Sequence, residues 1–380
     1  MPWENNMEVV NFIWDYVIVF LFVLTVLIFI HEMGHFLVAR YNRVRVDVFS
    51  IGFGPEIYGW TDKVGTRWKL SAIPLGGYVK MFGEDDVLED ENGEERTLSP
   101  EERAVSFSHK RLGQRAAIVA AGPIANFLLA IVLMAGLFSL VGIPKPYAGI
   151  GTIKENSAAA QSGFQVGDRI ISISGEPVVW FDDLRRIIGK SPGVSLDVTV
   201  VRKNAEIVLT TVPNRQSRQE KDGRFVEYGL LGVTPDVAQI GYERQNPLMA
   251  MWLGVEKSYD LTAQILTALG EMISGSRGAD ELGGPIRIAQ ISGEMAQGGV
   301  VNIIFFMAAL SVNLGLINLF PVPMLDGGHL VFYAVEVIRR RPLGRKAQEY
   351  GFRFGLILVL LLMIFATWND LVRLYNQLIT

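Results

Sequence analysis

The segment IFIHEMGHFLVAR, Ile28–Arg40, places two histidines and a glutamate inside a strongly apolar stretch. A charged side chain at the centre of a bilayer costs about 2.5–3.5 kcal/mol on insertion scales. His31 and His35 are four residues apart, so on a helix they share one face and both can bind one ion. The alternative, a chance pair of polar residues on a buried helix face, is disfavoured because unpaired ionisable groups are costly in a membrane.

Four stretches of the chain are apolar enough to cross a membrane as helices. Half of the 380 residues are hydrophobic, and the mean hydropathy of +0.29 is high for a soluble protein. About 20 apolar residues span the hydrocarbon core. Four runs lack formal charge apart from Glu32, and they lie between Asp15 and Arg40, Arg115 and Lys145, Glu294 and Asp326, and Arg353 and Asp370. No basic segment precedes the first run and no small-residue cleavage site follows it, so we expect a retained helix rather than a signal peptide.

Lysine and arginine in the connecting loops predict the orientation of these spans. No Lys or Arg precedes Arg40, whereas basic residues follow the first span and precede the fourth, where they include Arg339–Arg341. Both loops are therefore expected to be cytoplasmic. The N-terminus, the C-terminus and the long segment between the second and third spans then face outward, and His31 and His35 lie near the cytoplasmic end of their span.

The pattern His31-Glu32-x-x-His35 is typical of zinc-dependent hydrolases. Catalytic zinc takes three protein ligands and a water molecule, and a glutamate can act as general base on that water. The chain contains no cysteine, which excludes thiolate ligands and disulfides. Its net charge of −4 and pI near 5.7 give no reason to expect nucleic-acid binding. We therefore predict one Zn2+ bound by both histidines, with Glu32 as the catalytic base.

The third ligand is predicted near the other end of the chain. The chain has four histidines, and His109 lies in a polar loop where a solvated role is expected. Asp326 follows Pro321 and Pro323, which break a helix and free backbone groups that lipid cannot satisfy. Such backbone is tolerated at membrane depth only in protein or at a wet cavity, which favours a metal ligand at Asp326 over a helix cap. His329 is expected at the interface, with a partner behind the ligands as the alternative.

Two motifs together resemble the signatures of the site-2 protease family of intramembrane zinc metalloproteases, in its bacterial branch. The first is HEMGH at residues 31–35, and the second is NLFPVPMLDGG at residues 318–328. The resemblance spans nearly the whole chain, and it implies His31, His35 and Asp326 as zinc ligands and Glu32 as the base. It also implies a transmembrane protein as the substrate, either an anti-sigma factor already cut on its outer side or a signal-peptide remnant.

The region after the first span predicts β-structure. The runs IGFGPEIYGW and WKLSAIPLGGYVKMF alternate in character and are punctuated by glycine, which is typical of short β-hairpins. A protease must unwind a helix to reach its peptide bonds, and an edge strand around Gly77 could hold the unwound chain by strand addition. The alternative is a small β-layer with no contact to substrate. The acidic run Glu84–Arg96 is expected to be a solvated loop, with a flap over the cytoplasmic entrance as the alternative.

Two asparagines lie within apolar runs, where a side-chain amide usually bonds across helices. Asn318 matches a family position and is expected to contact substrate. For Asn126, in the second span, a purely structural role and a role behind the metal ligands both stay open.

Residues 145–236 resemble one PDZ domain in the bacterial, permuted arrangement. The run NSAAAQSGFQVGDRI is the most telling part, followed by a short helix led by Asp182 and a strand pair. The loop around Gly232, in Tyr228–Pro235, would bind a peptide C-terminus through its backbone amides. The alternative role is a bulky plug that excludes large outer domains, and we favour the plug. Residues 247–275 predict an amphipathic helix on the outer surface.

We predict a mainly α integral membrane protein of four transmembrane helices, with a membrane-associated β-hairpin region and one inserted periplasmic PDZ domain of the α+β type. The expected segments in chain order are the N-terminus and first span with HExxH (1–40), the cytoplasmic-side β-hairpins and acidic loop (41–112), the second span (113–144), the PDZ domain (145–236), the outer amphipathic helix and connector (237–300), the third span with the second motif (301–330), and a cytoplasmic loop with the fourth span (331–380).

The predicted function is that of a zinc endopeptidase of the bacterial inner membrane, cleaving single-span membrane proteins within or near the transmembrane helix on the cytoplasmic side. Two other classes are considered, a catalytically silent scaffold whose PDZ domain tethers partners and a metal transporter using the same ligands. A scaffold would tolerate the loss of Glu32. A transporter needs ligands along a continuous path, and the second and fourth spans contain neither acid nor histidine.

Overall fold

The chain is organised as two units, one of which is inserted into the other. The computed structural model describes residues 13–84, 88–89, 95–96, 98–219, 224–341 and 343–379. The helical unit comprises the chain up to Leu137 and from Pro247 onwards, and the inserted unit is Phe138–Asn246. Most of the acidic run Glu84–Arg96 lies outside the described residues.

Helices dominate the helical unit, whereas most strands belong to the inserted unit. The helices, in chain order, are α1 (Val19–Tyr41, preceded by a π-helical segment at Ile13–Ile18), α2 (Pro100–Val105), α3 (Leu112–Leu140), α4 (Ala158–Gln161), α5 (Phe181–Gly189), α6 (Pro247–Ser274), α7 (Pro285–Gln297), α8 (Val300–Asn318), α9 (Asp326–Arg339) and α10 (Arg345–Ile379), with a short 3-10 helix at Ala279–Glu281. The strands are β1 (Val46–Thr61), β2 (Arg67–Met81), β3 (Leu88–Glu89), β4 (Glu95–Arg96), β5 (Ile143–Pro146), β6 (Ile150–Ile153), β7 (Arg169–Ile173), β8 (Glu176–Pro177), β9 (Leu196–Arg202), β10 (Ala205–Thr211), β11 (Asn214–Gln219), β12 (Phe225–Leu230), β13 (Val233–Pro235) and β14 (Ile240–Glu243).

Four helices within the described residues are long and apolar enough to cross a membrane. They are Tyr16–Tyr41, Leu112–Leu140, Val300–Asn318 and Lys346–Asn376. Each overlaps one of the four uncharged runs of the sequence. The outer amphipathic helix expected at residues 247–275 corresponds in position to α6.

The strands β1 and β2 pair antiparallel, and Val48–Ile51 of β1 pair with β2 twice, with Gly77–Lys80 and with Arg67–Leu70. Val46 pairs with Met81 at the open end and Thr61 pairs with Arg67 at the turn. Gly52, at a φ of +86°, allows the strand to continue through an irregular register, because glycine adopts this backbone region without a steric penalty. The β-structure expected from the two glycine-punctuated runs therefore corresponds to β1 and β2, with Gly52 at an irregularity of the register.

The core of the helical unit lies between α1, the hairpin, α3 and α9. Phe36 of α1 and Phe49 of β1 pack edge to face with ring centroids 5.6 Å apart. Ile118 of α3 and Tyr333 of α9 belong to the same buried cluster. This packing places α1, α3 and α9 beside one another at the level of His35.

The inserted unit has its own sheet and its own apolar core. Its four-stranded sheet has the order β10-β9-β7-β8, and the predicted strand pair corresponds to β9 and β10. Helix α5 begins at Phe181, and the Asp183 carboxylate accepts a hydrogen bond from the backbone N–H of Trp180 at 3.0 Å. Leu184 of α5 is buried in a cluster with apolar residues of β6, β7 and β9. Pairing of β5 with β14 joins the two ends of the insertion.

A break in the helical backbone precedes Asp326. Helix α8 ends at Asn318 and α9 begins at Asp326. Pro321 and Pro323 lie in the break, where proline cannot donate the backbone hydrogen bond of a helix. The connection turns the chain so that the first residue of α9 carries the carboxylate toward α1.

Candidate metal centre

The two histidines of the first motif lie one turn apart on the same face of α1. Both are buried, with exposed fractions of 8% for His31 and 7% for His35. Their Nε2 atoms are 3.2 Å apart. Since a helix rotates 100° per residue, the spacing of four brings both imidazoles to one point beside α3 and α9.

Asp326 reaches the same point from the start of α9. Its Oδ2 lies 3.1 Å from Nε2 of His31 and 3.5 Å from Nε2 of His35. Gly327 and Gly328 follow it and are buried. A Cβ at Gly328 would lie 2.4 Å from the carbonyl oxygen of Val322. The segment between α8 and α9 therefore packs so closely on the start of α9 that only glycine fits at this position.

The geometry of these three atoms fits a zinc ion. Zinc bonds of about 2.0–2.1 Å at tetrahedral angles place ligand atoms about 3.3 Å apart, and the three observed separations are 3.1, 3.2 and 3.5 Å. Oδ2 of Asp326 is buried and has no hydrogen-bond partner of acceptable geometry within the described residues. Two neutral imidazole nitrogens that face each other at 3.2 Å need a proton or a cation between them. Within the described part of the chain, the side chains that converge closely enough to bind one metal ion are those of His31, His35 and Asp326.

One face of α3 holds both imidazoles in place. Nδ1 of His35 donates to the carbonyl oxygen of Ile118 at 2.9 Å, since a carbonyl can only accept. The side-chain amide of Asn126 lies 3.1 Å from Nδ1 of His31. A Cβ at Gly122 would lie 2.2 Å from Nε2 of His35 and 2.8 Å from Cε1 of His31. Only glycine leaves room here for the two rings.

Gly122 and the Ile118 carbonyl were missed in the sequence, although a signal for one of them was present. Gly122 and Asn126 are four residues apart in AAGPIAN, so they share a helix face, as His31 and His35 do. The same spacing of four on both helices could have indicated that Gly122 faces the two histidines. A backbone carbonyl leaves no trace in a sequence.

Glu32 borders a cavity of about 1320 Å³ that also includes the two histidines and Asp326. The strand β2 passes close to it, because a Cβ at Gly77 would lie 3.1 Å from Cγ of Glu32 and 2.8 Å from the carbonyl oxygen of Ser50. The sheet has two strands, β1 and β2. Gly77 and Val79 of β2 line the cavity next to Glu32.

Of four further candidates from the sequence, two line the same cavity as Glu32 and two do not. Asn318, the last residue of α8, lines the same cavity, as does His329, whose ring centroid is 5.2 Å from that of Phe352. His109 is exposed and hydrogen-bonds to Ser106 Oγ at 3.0 Å. Gly232 belongs to the inserted unit, between β12 and β13.

A charged pair links α3 to α9 at the cavity wall. Arg115 of α3 and Glu336 of α9 form a salt bridge of 2.7 Å, and both line the cavity. The Arg115 guanidinium also lies over the ring of Tyr333, 5.0 Å from its centroid. Burial raises the pKa of Tyr333 to about 12, so this phenol is neutral at physiological pH. The salt bridge connects α9, which carries Asp326, to α3, which hydrogen-bonds to both histidines of α1.

Comparison with known proteins identifies the class of protein that this site and fold define. The sequence profile of Peptidase family M50 matches residues 19–362. The chain therefore belongs to peptidase family M50, the site-2 proteases, and it is a metalloprotease. This confirms the family predicted from HEMGH and NLFPVPMLDGG.

Individual relatives cover almost their full lengths. A protein of Agrobacterium fabrum named "Putative zinc metalloprotease" is 47% identical over 369 residues, covering 96% of this chain and 98% of the relative. The regulator of sigma-E protease RseP of Escherichia coli is 33% identical, covering 96% of this chain and 100% of the relative. A solved PDZ domain from Listeria monocytogenes covers 25% of this chain at 16% identity with a TM-score of 0.19, so the PDZ assignment stays a proposal.

Proposed function

We propose that this chain is an intramembrane zinc endopeptidase that cuts single-span membrane proteins within or near their transmembrane helix. The observation that carries the proposal is the convergence of His31, His35 and Asp326 beside Glu32, at a cavity among helices apolar enough to cross a membrane. Membership of family M50 supports the metalloprotease chemistry.

In this proposal His31, His35 and Asp326 hold one zinc ion. Bound zinc supplies Lewis-acid chemistry to a water molecule and to the scissile carbonyl. The Glu32 carboxylate accepts a proton from the attacking water and delivers it to the leaving amide nitrogen. Because Glu32 follows His31 on the same helix and borders the cavity, it can act beside the ion without occupying a ligand position.

The hairpin supplies a surface for an unwound substrate. A peptide bond inside a helix is shielded, so the substrate must be extended before cleavage. We propose that the extended segment adds to β2 at Gly77–Val79, where main-chain hydrogen bonds hold it without regard to side chains. The closeness of Gly77 to Glu32 supports this location. Asn318, across the cavity, is proposed to contact the same segment.

The test is cleavage of transmembrane peptides by purified full-length protein, analysed by mass spectrometry. Wild type is expected to cut such peptides, and chelation of zinc should abolish the cleavage. Glu32→Gln should retain bound zinc and lose activity by about 10²–10⁴-fold, the usual contribution of a general base. Full activity of this variant would remove Glu32 from the mechanism, and zinc transport without cleavage would favour the transporter.

We infer from the basic loops that the active site faces the cytoplasm of a bacterial inner membrane, with both termini and the inserted unit in the periplasm. The absence of cysteine permits a direct test with single-cysteine variants. Glu155→Cys should react with an impermeant maleimide in intact spheroplasts, whereas Lys63→Cys should react only after lysis. Both side chains are exposed, so burial does not confuse the comparison. Labelling of position 63 from outside would reverse the orientation.

We propose that the inserted unit is a PDZ domain that controls which substrates are cut, with anti-sigma-factor-like proteins or signal-peptide remnants as the substrate class. As a plug it would exclude substrates with bulky outer domains, and as a reader it would bind a free C-terminus near Gly232. A substitution at Gly232 cannot separate these roles, because its φ is +84° and a Cβ would lie 2.3 Å from Cβ of Ser157.

Deletion of residues 147–234 with a short Gly/Ser bridge separates the two roles. If the unit is a plug, the deletion should permit cleavage of untrimmed substrates. If it is a reader, the deletion should slow cleavage of trimmed substrates with a free C-terminus. Wild type and deletion cutting both forms equally would contradict both roles.

A further inference from the structure

Asn126 is fully buried in α3, with no exposed surface. Its amide lies 3.1 Å from Nδ1 of His31, and its Oδ1 has no hydrogen-bond partner within the described residues. Its backbone carbonyl accepts a hydrogen bond from Oγ of Ser311 on α8 at 2.7 Å. A buried amide oxygen without a partner is unfavourable, because it has lost its hydrogen bonds to water and gained none in the protein. The position therefore needs an explanation beyond packing.

The two histidines differ in how the partner of Nδ1 fixes their protonation. For His35 the partner is the carbonyl of Ile118, which can only accept, so Nδ1 carries the proton and Nε2 presents a lone pair. For His31 the partner is an amide, which can donate through Nδ2 or accept through Oδ1. Donation through Nδ2 would leave the proton on Nε2 of His31, where it could not bind a metal ion.

A half-turn of the Asn126 amide gives Oδ1 a partner and sets the tautomer of His31, and it moves Nδ2 to the place where Oδ1 had none. It brings Oδ1 to the position now 3.1 Å from Nδ1 of His31, where it accepts a hydrogen bond from Nδ1–H and gains the partner that it lacks. His31 then presents the lone pair of Nε2 to the same point as His35. The nitrogen and oxygen of an amide have nearly the same size, so the turn needs no additional space.

We propose that Asn126 is a positioning residue of the metal site, which accepts a hydrogen bond from Nδ1–H of His31 through Oδ1 and so fixes the tautomer that binds zinc. This rests on the proposed zinc site of His31, His35 and Asp326. Asn126 and the Ile118 carbonyl then form a matched pair, each orienting one imidazole from the same face of α3. Partners of this kind typically change metal affinity 10–100-fold.

The experiment measures zinc affinity by competition with a chromophoric chelator on full-length protein in detergent, at one pH. Asn126→Leu and Asn126→Ala cannot accept a hydrogen bond, and they should bind zinc about 10–100-fold more weakly than wild type. Asn126→Asp keeps an acceptor and should bind within a few-fold of wild type or more tightly, as carboxylate–histidine–zinc triads do. The smaller Ala variant decides the result if Leu disturbs the fold.

Ser311→Ala is the matched control, because it removes the hydrogen bond to the backbone of Asn126 and leaves the amide untouched. It should bind zinc within about threefold of wild type, since no ligand orientation changes. The proposal is overturned if Asp binds as weakly as Leu and Ala, which would mean that the amide donates, or if Ser311→Ala loses as much affinity as they do. Unchanged affinity in Leu and Ala would also overturn it. Failure of wild type itself to bind zinc would instead refute the proposed function.

Discussion

The metal centre of the helical unit and the core of the inserted unit are held together by different means. The core of Phe138–Asn246 is apolar side chains packed between a sheet and a helix, and its stability is spread over many contacts. At the metal centre, polar side chains meet because small residues let helices approach closely. A Cβ at Gly34 of α1 would lie 2.3 Å from the carbonyl oxygen of Ala121 on α3, and Gly122 leaves room for the histidine rings.

This difference predicts two kinds of sensitivity to mutation. In the inserted unit a truncated side chain leaves a cavity, which lowers stability by an amount that depends on local relaxation. At the metal centre a single added methyl group should displace a histidine or the aspartate and so weaken metal binding. The fold should remain stable, because many other contacts hold it. Stability and metal binding should therefore separate cleanly in a set of variants.

The largest effect is expected for Asp326→Ala. It removes one of the three proposed ligands, so zinc affinity should fall by more than the 10–100-fold expected for a partner behind the ligands, and peptide cleavage should be lost with it. The measurement is zinc content by atomic absorption after dialysis. Asp370→Ala is the matched control, because Asp370 is a buried acid that accepts hydrogen bonds from the backbone of Gly284 and Arg287. It should keep its zinc, and normal zinc in Asp326→Ala would mean that another residue is the third ligand.

Gly122→Ala should have the next largest effect. Its Cβ would lie 2.2 Å from Nε2 of His35, so the ring must move and zinc affinity should fall at least about tenfold, as for lost orienting contacts. In Gly136→Ala, on the same helix, the new Cβ meets nothing within 4 Å. That variant should keep wild-type affinity and become more stable, since alanine is favoured over glycine in a helix by about 1 kcal/mol. Equal affinities for the two variants would contradict the close-packed description of the site.

The sequence allowed the ligand set to be proposed, but it did not reveal what holds the ligands together. His31 and His35 were recognisable because the helical spacing of four is written in the motif. Asp326 was recognisable because it ends an uncharged run and follows two prolines, which indicate a break in the helical backbone. The role of the Ile118 carbonyl leaves no trace in the sequence, and the spacing of four between Gly122 and Asn126 marks a helix face without showing that this face meets α1. The β-structure after the first span was predicted in type, but the pairing of one stretch of β1 with two stretches of β2 was not, because glycine marks both turns and bulges.

A smaller effect is expected for Gly77→Ala, which tests whether β2 and Glu32 work together. The new Cβ would lie 2.8 Å from the Ser50 carbonyl oxygen and 3.1 Å from Cγ of Glu32. A displacement of well under 1 Å should slow peptide cleavage by about tenfold, less than the 10²-fold that a 1 Å misplacement can cost. Zinc content should stay normal, since no ligand is touched. Lys80→Ala, an exposed position on the same strand, should cleave at the wild-type rate, and a drop in both variants would point to general damage of the hairpin.

The smallest effect on the metal centre is expected for Leu184→Ala, although its effect on stability is large. Leu184 is 2% exposed in the core of the inserted unit, and its truncation should lower the free energy of unfolding of that unit by about 2–5 kcal/mol. Hydrogen exchange should accelerate in the strands and helices of residues 148–231, whose side chains form this core. Zinc affinity and cleavage of a bare transmembrane peptide should remain at wild-type values, because no side chain of the centre belongs to that core. Val166→Ala, 66% exposed in the same unit, should change neither exchange nor activity. Loss of zinc in Leu184→Ala would show that the two units are energetically coupled, and that the stability of one cannot be separated from the chemistry of the other.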